Sequence, residues 1–161
     1  DGWEEADGTI RFDVAANRDA SFAIEGARVL VAQTGTVPGE PSVLKLVTLH
    51  SDGRAEMTSS SVTAEFPKGD PRRPCSRRDL TVHVHGERGD RPLPNGLAIQ
   101  NWATGQNRAF LFDDTQIMEE AVFVPKPGRS AENDAWLVAP SINLAEGATE
   151  LHAFDVAAVQ D

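Results

Sequence analysis

Four short polar turns that end in glycine recur along this chain at similar distances. The glycines are Gly8, Gly53, Gly105 and Gly147, and they lie 45, 52 and 42 residues apart. Pairs such as Asp-Gly favour tight hairpins, because glycine readily adopts the positive φ that these turns require. A period of roughly 40–50 residues is that of one four-stranded blade in a β-propeller. The turns therefore predict a repeating antiparallel architecture in preference to a sandwich, which shows no such period.

Short segments with strand character fill the sequence between these turns. Apolar and β-branched residues concentrate at 9–14, 43–49, 61–66, 80–85, 97–103, 109–112, 121–124, 136–139 and 150–156. Helical patterns are poor, and residues 21–32, the one segment with a possible apolar period, contain glycine and β-branched residues. We therefore predict an all-β fold in which residues 1–161 form a single domain of about three blades of antiparallel meanders. Because propellers close into rings of ~4–8 blades that protect their strand edges, we expect this domain to be part of a larger ring.

The charge of the chain bears on its partners. A net charge of −10 argues against nonspecific binding to nucleic acid, which depends on clustered Lys and Arg that neutralise phosphates. Four arginines nevertheless lie close together in sequence, at Arg72, Arg73, Arg77 and Arg78. We interpret them as a solvated loop or, alternatively, as a docking patch for a partner or for lipid headgroups.

Several other classes of protein are disfavoured by what the sequence lacks. The single Cys75 forms no internal disulfide and fits a reducing compartment, so we expect a cytoplasmic location. There is no run of 18 apolar residues and no leader peptide, so we expect no transmembrane segment. The chain starts at Asp1 without an initiator Met, and we therefore expect it to be processed or excerpted. No Gly-x-Ser-x-Gly elbow, phosphate-binding loop or dinucleotide fingerprint is present.

The four histidines include one pair with a spacing that suits a metal. His83 and His85 lie two residues apart on a predicted strand, so both imidazoles project from one face. A metal site would need at least a third ligand, and His50, His152 or Glu87 are the candidates. The alternative is that both histidines are polar residues on the wet face of an edge strand.

The carboxylates offer a different kind of metal chemistry. Glu65 and Glu120 occupy matching places in two of the predicted units, and Glu4, which follows Trp3, is a third and weaker candidate. A carboxylate near the axis of a ring supports a metal-bound imidazole by accepting its outer N–H. A solvated or ion-paired glutamate at a strand end is the alternative. Glu120 directly precedes an apolar segment that Pro125 must end, so we expect it to have a hydrogen-bonding partner.

Three stretches resemble the carotenoid cleavage oxygenases, the iron enzymes that include the apocarotenoid oxygenases. Residues 64–72, Ala-Glu-Phe-Pro-Lys-Gly-Asp-Pro-Arg, are similar to the Glu-Phe-Pro-Arg-Ile-Asn/Asp-Pro-Arg run of that family. Residues 118–139 resemble its Glu-x-x-Phe-Val-Pro-x-Pro-Gly...Glu-Asp-Asp-Gly-Trp-Leu pattern. Trp3 and Glu4, followed by a strand that ends at Val14, are similar to the segment after the third iron-ligating histidine of the family.

The resemblance implies a fold, a cofactor and a reaction. It implies a seven-bladed β-propeller whose axial non-haem iron is held by four histidines, three of them supported by glutamates. Glu65 and Glu120 match two of those supporting glutamates. The family pattern implies that Fe(2+) and O₂ cleave a conjugated double bond of an apolar polyene or stilbene-like substrate, that is, a carotenoid, an apocarotenoid or a stilbene.

The match of the chain to the family also implies what this span lacks. The third histidine ligand of the family would lie two positions before Asp1 and the fourth beyond Asp161, so we expect no catalytic residue and no iron ligand within the span. His83 and His85 stand where the family has Tyr-x-Tyr. The chain is therefore expected to be the C-terminal part of a parent about three times longer. The alternatives are a noncatalytic propeller-derived binding module, or a small metalloprotein centred on His83 and His85.

Overall fold

The computed structural model of this chain describes residues 2–32, 40–86 and 93–159. In these residues, antiparallel pairing organises the strands into three successive four-stranded sheets. Sheet 1 contains β1 (Gly2–Glu4), β2 (Ile10–Ala16), β3 (Val43–Leu49) and β4 (Ala55–Thr63). Sheet 2 contains β5 (Glu65–Lys68), β6 (Leu80–His85), β7 (Gly96–Asn101) and β8 (Asn107–Leu111). Sheet 3 contains β9 (Gln116–Met118), β10 (Val122–Pro125), β11 (Ala135–Asn143) and β12 (Ala148–Asp155). The predicted all-β fold of about three antiparallel meanders is confirmed.

One helix departs from this pattern. Helix α1 (Ser21–Ala32) connects β2 to β3 and occupies residues 21–32, the one segment in which the sequence showed a possible apolar period. Asp19 caps the helix by accepting the Ser21 backbone N–H at 2.7 Å, and this bond holds the pKa of Asp19 below its ordinary value. The cap and several alanines in the segment outweigh its glycine and β-branched residues. The described residues contain no helix with the length and apolar character needed to cross a bilayer.

The glycine turns have the predicted conformation, but they do not all mark the same hairpin. Gly8, Gly53, Gly105 and Gly147 have φ values of 82°, 88°, 74° and 62°. Three of them join the last two strands of a sheet, whereas Gly8 joins β1 to β2 in the same sheet as Gly53. The interval of 45 residues is therefore internal to one blade, and only the intervals of 52 and 42 residues measure the step from one blade to the next.

The two faces of β6 meet different environments. Leu80, Val82 and Val84 face sheet 3 and join the apolar core that β7, β9, β10 and β11 complete. The alternate residues of β6 face sheet 1 and are polar, and all six residues of the strand are buried. The interface between sheets 2 and 3 is therefore apolar, while the interface between sheets 1 and 2 contains buried polar groups.

Candidate functional site: glutamates at bulges on adjacent first strands

Glu65 begins the first strand of sheet 2 at a β-bulge. Glu65 pairs with Val84 and Lys68 pairs with Val82, so three steps on β5 match two steps on β6. Phe66, inside the bulge, has a φ of 52°, which is uncommon for a residue with a side chain. Bulges redirect side chains beside functional sites. The hydroxyl of Ser42, the residue directly before β3 of sheet 1, donates a hydrogen bond to Glu65 Oε1.

Glu120 lies at a second bulge, on the edge of sheet 3 that its first two strands, β9 and β10, form, which we call the first edge. Strands β9 and β10 pair with the same side of β11, and Glu120 lies between them. Four steps separate Met118 from Val122, but only three separate their partners Ser141 and Val138. The strand is thus continuous with one additional residue.

The expected partner of Glu120 is Lys68. Its Nζ lies 2.5 Å from Glu120 Oε2, and the pair connects the first strand of sheet 2 to the first edge of sheet 3. In a propeller, four-stranded sheets surround a central channel. The contact places Glu120 next to the strand that carries Glu65.

The third predicted carboxylate site is arranged differently. Trp3 is buried, and its Nε1 donates to Glu5 Oε1 at 3.0 Å, whereas Glu4 is exposed. The Arg78 guanidinium lies over the Trp3 ring, 5.1 Å from its centroid. Trp3 therefore packs between sheets, and a supporting role for Glu4 stays a prediction.

The prediction that the His83 and His85 pair lies on a wet edge strand is wrong, because β6 is an interior strand. His83 is 1% exposed, and burial lowers its pKa to about 4. Its Nδ1 lies 3.3 Å from the Val84 carbonyl oxygen, while its Nε2 faces the Asn107 amide at 3.5 Å. Stacking of sheet 1 on this face of β6, which no local pattern reveals, buries both imidazoles.

The four histidines do not converge. His85 Nδ1 lies 2.9 Å from Thr63 Oγ1, and His50 faces Glu56. Within residues 2–32, 40–86 and 93–159, no three His, Cys, Asp or Glu side chains are grouped so that they could hold a metal. Glu87, one of the predicted third ligands, lies outside the described residues.

A Ser–His contact on sheet 3 does not form a catalytic triad. Ser141 Oγ lies 2.9 Å from His152 Nε2, but Glu150 Oε2 approaches that same nitrogen at 3.3 Å. A triad needs its carboxylate on the other ring nitrogen, and Ser141 is fully buried. This contact is therefore structural.

A buried polar cluster between sheets 1 and 2 was not predicted from the sequence. Asp13 of β2 accepts hydrogen bonds from Arg78 Nη2 at 2.8 Å and from the Thr81 hydroxyl. Trp102 Nε1 in turn donates to Thr81 Oγ1 at 2.9 Å. The signal available in the sequence was Asp13 itself, a carboxylate within an apolar strand, which requires a partner if it is buried.

The arginine cluster is also not a solvated loop. Arg78 is buried, and Arg72 makes a bidentate contact with Asp70 while donating to the Arg129 and Ala131 carbonyl oxygens at 2.9 and 2.8 Å. Burial opposes the ionisation of Asp70, but the hydrogen bonds from Arg72 hold the pKa of its carboxyl below the ordinary value. Arg72 and Arg78 thus connect neighbouring blades. Of the four arginines in the cluster, Arg77 is the exposed one.

Comparison with known proteins decides the family. The profile of the family described as retinal pigment epithelial membrane protein matches residues 1–161. The chain belongs to this family, the carotenoid cleavage oxygenases. A relative, resveratrol cleavage oxygenase 1 of Aspergillus fumigatus, is 39% identical over 67 residues, which cover 42% of this chain and 14% of that protein.

Solved oxygenase structures show the same fold. The cobalt-substituted apocarotenoid oxygenase (ACO) of Synechocystis superposes with a TM-score of 0.82 at 19% identity, over 98% of this chain and 33% of that one. An ACO/RPE65 chimera gives a TM-score of 0.82 at 16% identity, with the same coverage of both chains. The chain thus spans about a third of these carotenoid cleavage oxygenase structures, and the predicted partial seven-bladed propeller is confirmed.

Proposed function

We propose that this chain is the C-terminal part of a non-haem iron(II) dioxygenase that uses O₂ to cleave a conjugated double bond of a carotenoid, apocarotenoid or stilbene-like substrate. The observation that carries the proposal is the placement of Glu65 and Glu120 at bulges on the first edges of adjacent blades. Both match supporting glutamates of the family. The name of the Aspergillus relative supports a stilbene as one candidate substrate.

The residues of this chain fit a supporting role toward iron. The described residues contain no group that forms a metal ligand set, so the imidazoles that hold the iron would come from elsewhere in the protein. When bound, the iron supplies the centre at which O₂ and the double bond react. Glu65 and Glu120 are two carboxylates held by donors from neighbouring blades.

The proposed role of the two glutamates is to orient the imidazoles that bind the iron. A carboxylate that accepts the outer N–H of a ligand imidazole fixes its tautomer and ring orientation and raises its basicity. Ser42 and Lys68 each contact one oxygen of a carboxylate, which has two oxygens and about four acceptor sites. Acceptor sites therefore remain on Glu65 and Glu120 for an imidazole.

The remaining blades are proposed to come from other parts of a longer chain. The outer face of sheet 1 exposes Ile10, Leu49 and Met57, and the outer face of sheet 3 exposes Val122 and Leu151. Apolar faces of this kind are covered by neighbouring blades in a closed ring. The single exposed Cys75 supports a reducing compartment such as the cytoplasm.

The test uses the longer protein that carries this chain. Iron content and O₂-dependent cleavage are measured with a carotenoid, an apocarotenoid and a stilbene. Glu65→Gln and Glu120→Gln are each expected to lower iron occupancy or turnover ~10–100-fold. Glu119→Gln is the matched control, because Glu119 is the exposed neighbour of Glu120.

Three outcomes would reject the assignment. Wild-type iron content and turnover in Glu120→Gln would remove its supporting role. A protein that carries no iron and cleaves none of the three substrates would favour the noncatalytic binding module. Stoichiometric metal that is lost on replacing His83 would favour the metalloprotein centred on His83 and His85.

A further inference from the structure

The two glutamates are held by chemically different partners. Glu65 accepts a hydrogen bond from the neutral hydroxyl of Ser42. Glu120 instead contacts the ammonium group of Lys68 at 2.5 Å. A charged donor forms a stronger and more directional contact with a carboxylate than a neutral donor does. The two sites are thus not equivalent, although both glutamates stand at bulges.

Lys68 reaches Glu120 because of the bulge in β5. The additional residue between Glu65 and Lys68 changes the register, so that Lys68 lies opposite Val82 at the end of the strand. Glu120 lies at the corresponding bulge of sheet 3. The contact therefore joins two residues that both lie at bulges, one in each blade. Regular alternation along either strand would not bring these two side chains together.

The geometry leaves Glu120 able to serve an imidazole. Lys68 contacts Oε2, and the other oxygen of a carboxylate accepts hydrogen bonds independently. The two side chains are 40% and 44% exposed in the described part of the chain, so solvent weakens the attraction between them. An ion pair of this kind restricts the rotamers of Glu120 without contributing much to folding.

We propose that Lys68 is a positioning residue that acts through Glu120: its ammonium group fixes one carboxylate oxygen, so that the other faces the imidazole which Glu120 supports. This inference rests on the proposed function. It assigns Lys68 no contact with iron, O₂ or substrate. Glu65, which Ser42 holds, is independent of Lys68.

The test is a double-mutant cycle on iron binding in the longer protein. The affinity for Fe(II) is measured by competition with a chelator for wild type, Lys68→Met, Glu120→Gln and the double variant. Lys68→Met is expected to weaken iron binding two- to fivefold, the range for a partly exposed ion pair. The same substitution in the Glu120→Gln background is expected to have no further effect, because Lys68 acts through that carboxylate.

Two additional variants separate positioning from folding. We expect Lys68→Met to shift the absorption bands of the cobalt-loaded protein. Lys68→Arg keeps the cation, so its iron affinity and its cobalt absorption bands are expected to match those of wild type. Lys126→Met is the matched control, since it removes another ion pair, in which Lys126 Nζ lies 2.7 Å from Asp155 Oδ1, away from Glu120. It is expected to leave iron affinity and the cobalt spectrum unchanged.

The outcomes distinguish this inference from the proposed function. If the wild-type protein binds no iron, the proposed function fails. If it binds iron and Lys68→Met behaves like Lys126→Met, only the role of Lys68 is overturned. Additive effects of Lys68→Met and Glu120→Gln would also overturn it, because Lys68 would then act by another route.

Discussion

Arg78 and Asp13 form a buried ion pair that joins the first two sheets. Arg78 Nη2 lies 2.8 Å from Asp13 Oδ1, and the two side chains are 2% and 0% exposed. Asp13 belongs to β2 of sheet 1, whereas Arg78 closely precedes β6 of sheet 2. A buried charge is tolerated only with a charged and hydrogen-bonded partner. The placement of these two blades relative to each other therefore depends on this ion pair.

Removing the guanidinium of this pair is expected to destabilise the protein strongly. Arg78→Met should lower the free energy of unfolding by about 3–5 kcal/mol, because the Asp13 carboxylate stays buried without that cation. Arg77→Met is the control, since Arg77 is an exposed arginine whose Nε lies 3.9 Å from Asp79, and it should change stability by less than about 1 kcal/mol. Urea unfolding of both variants measures the difference. Equal effects would show that the buried pair contributes no more than a surface contact.

Acidification is expected to destabilise the protein through His83. The pKa of this imidazole is lowered to about 4, because burial, the largest cause, and the neighbouring His85 outweigh the opposing effects of the Val84 carbonyl and Asp13. The unfolded chain thus takes up a proton near pH 6.5 that the folded chain does not, so the stability from the neutral His83 is lost as the pH falls from about 6.5 to 4. Unfolding at several pH values should show a loss of about 3 kcal/mol over this range in wild type relative to His83→Gln. A difference that does not vary with pH would contradict the assignment.

The clamp formed by Arg72 is expected to order the segment between β10 and β11. Arg72→Ala removes the bonds to the Arg129 and Ala131 carbonyl oxygens, so hydrogen exchange of residues 126–134 should become faster. Arg72→Lys should not restore protection, because lysine lacks the planar fork that binds Asp70 and both carbonyls together. Arg54→Ala, at an exposed pair with Glu56, should leave this segment unaffected. Restored protection in Arg72→Lys would show that charge alone holds the segment.

Two glycine substitutions are expected to differ in severity for different reasons. At Gly96, a Cβ would lie 2.1 Å from the Phe110 carbonyl oxygen and 3.0 Å from the Leu111 Cα, so Gly96→Ala must displace β8. We expect it to cost about 3 kcal/mol or more. Gly53 has a φ of 88°, and no atom of the described residues lies within 4 Å of the position that a Cβ would take, so Gly53→Ala should cost about 1–2 kcal/mol from backbone strain alone. Thermal melting of the two variants gives the order, and a larger effect at Gly53 would contradict it.

Local signals predicted most of the strands because their causes are local, but the predicted segment 61–66 was wrong, since it joins the end of β4 to the start of β5 across two sheets. Alternation gave β3 and β6 with the observed bounds, and the proline at position 125 ends β10 as expected. The three-residue strands β1 and β9 were missed, since so short a segment carries little alternation. The helix lies on residues 21–32, where the sequence showed a possible apolar period, and its capping residue, Asp19, lies just before that segment.

For the candidate site as well, sequence signals identified some residues but not the contacts that depend on tertiary structure. Resemblance in sequence singled out Glu65 and Glu120, but it gave no indication that their partners are Ser42, which directly precedes β3, and Lys68, which belongs to β5. The burial of His83 and Arg78 was likewise missed, because both faces of β6 are covered by blades whose contacting residues lie far away in sequence.

The amino-acid sequence by itself determined that this protein is built from antiparallel hairpins, since glycine φ preferences and strand alternation act within a few residues. It also determined which glutamates stand at the first edges of two blades. Only the tertiary structure decided which charges are buried, which strand is covered on both faces and which cation meets Glu120. Those properties arise when separate sheets stack and exclude water, and residues that meet there, such as the pairs Asp13–Arg78 and Lys68–Glu120, are 65 and 52 positions apart in the chain.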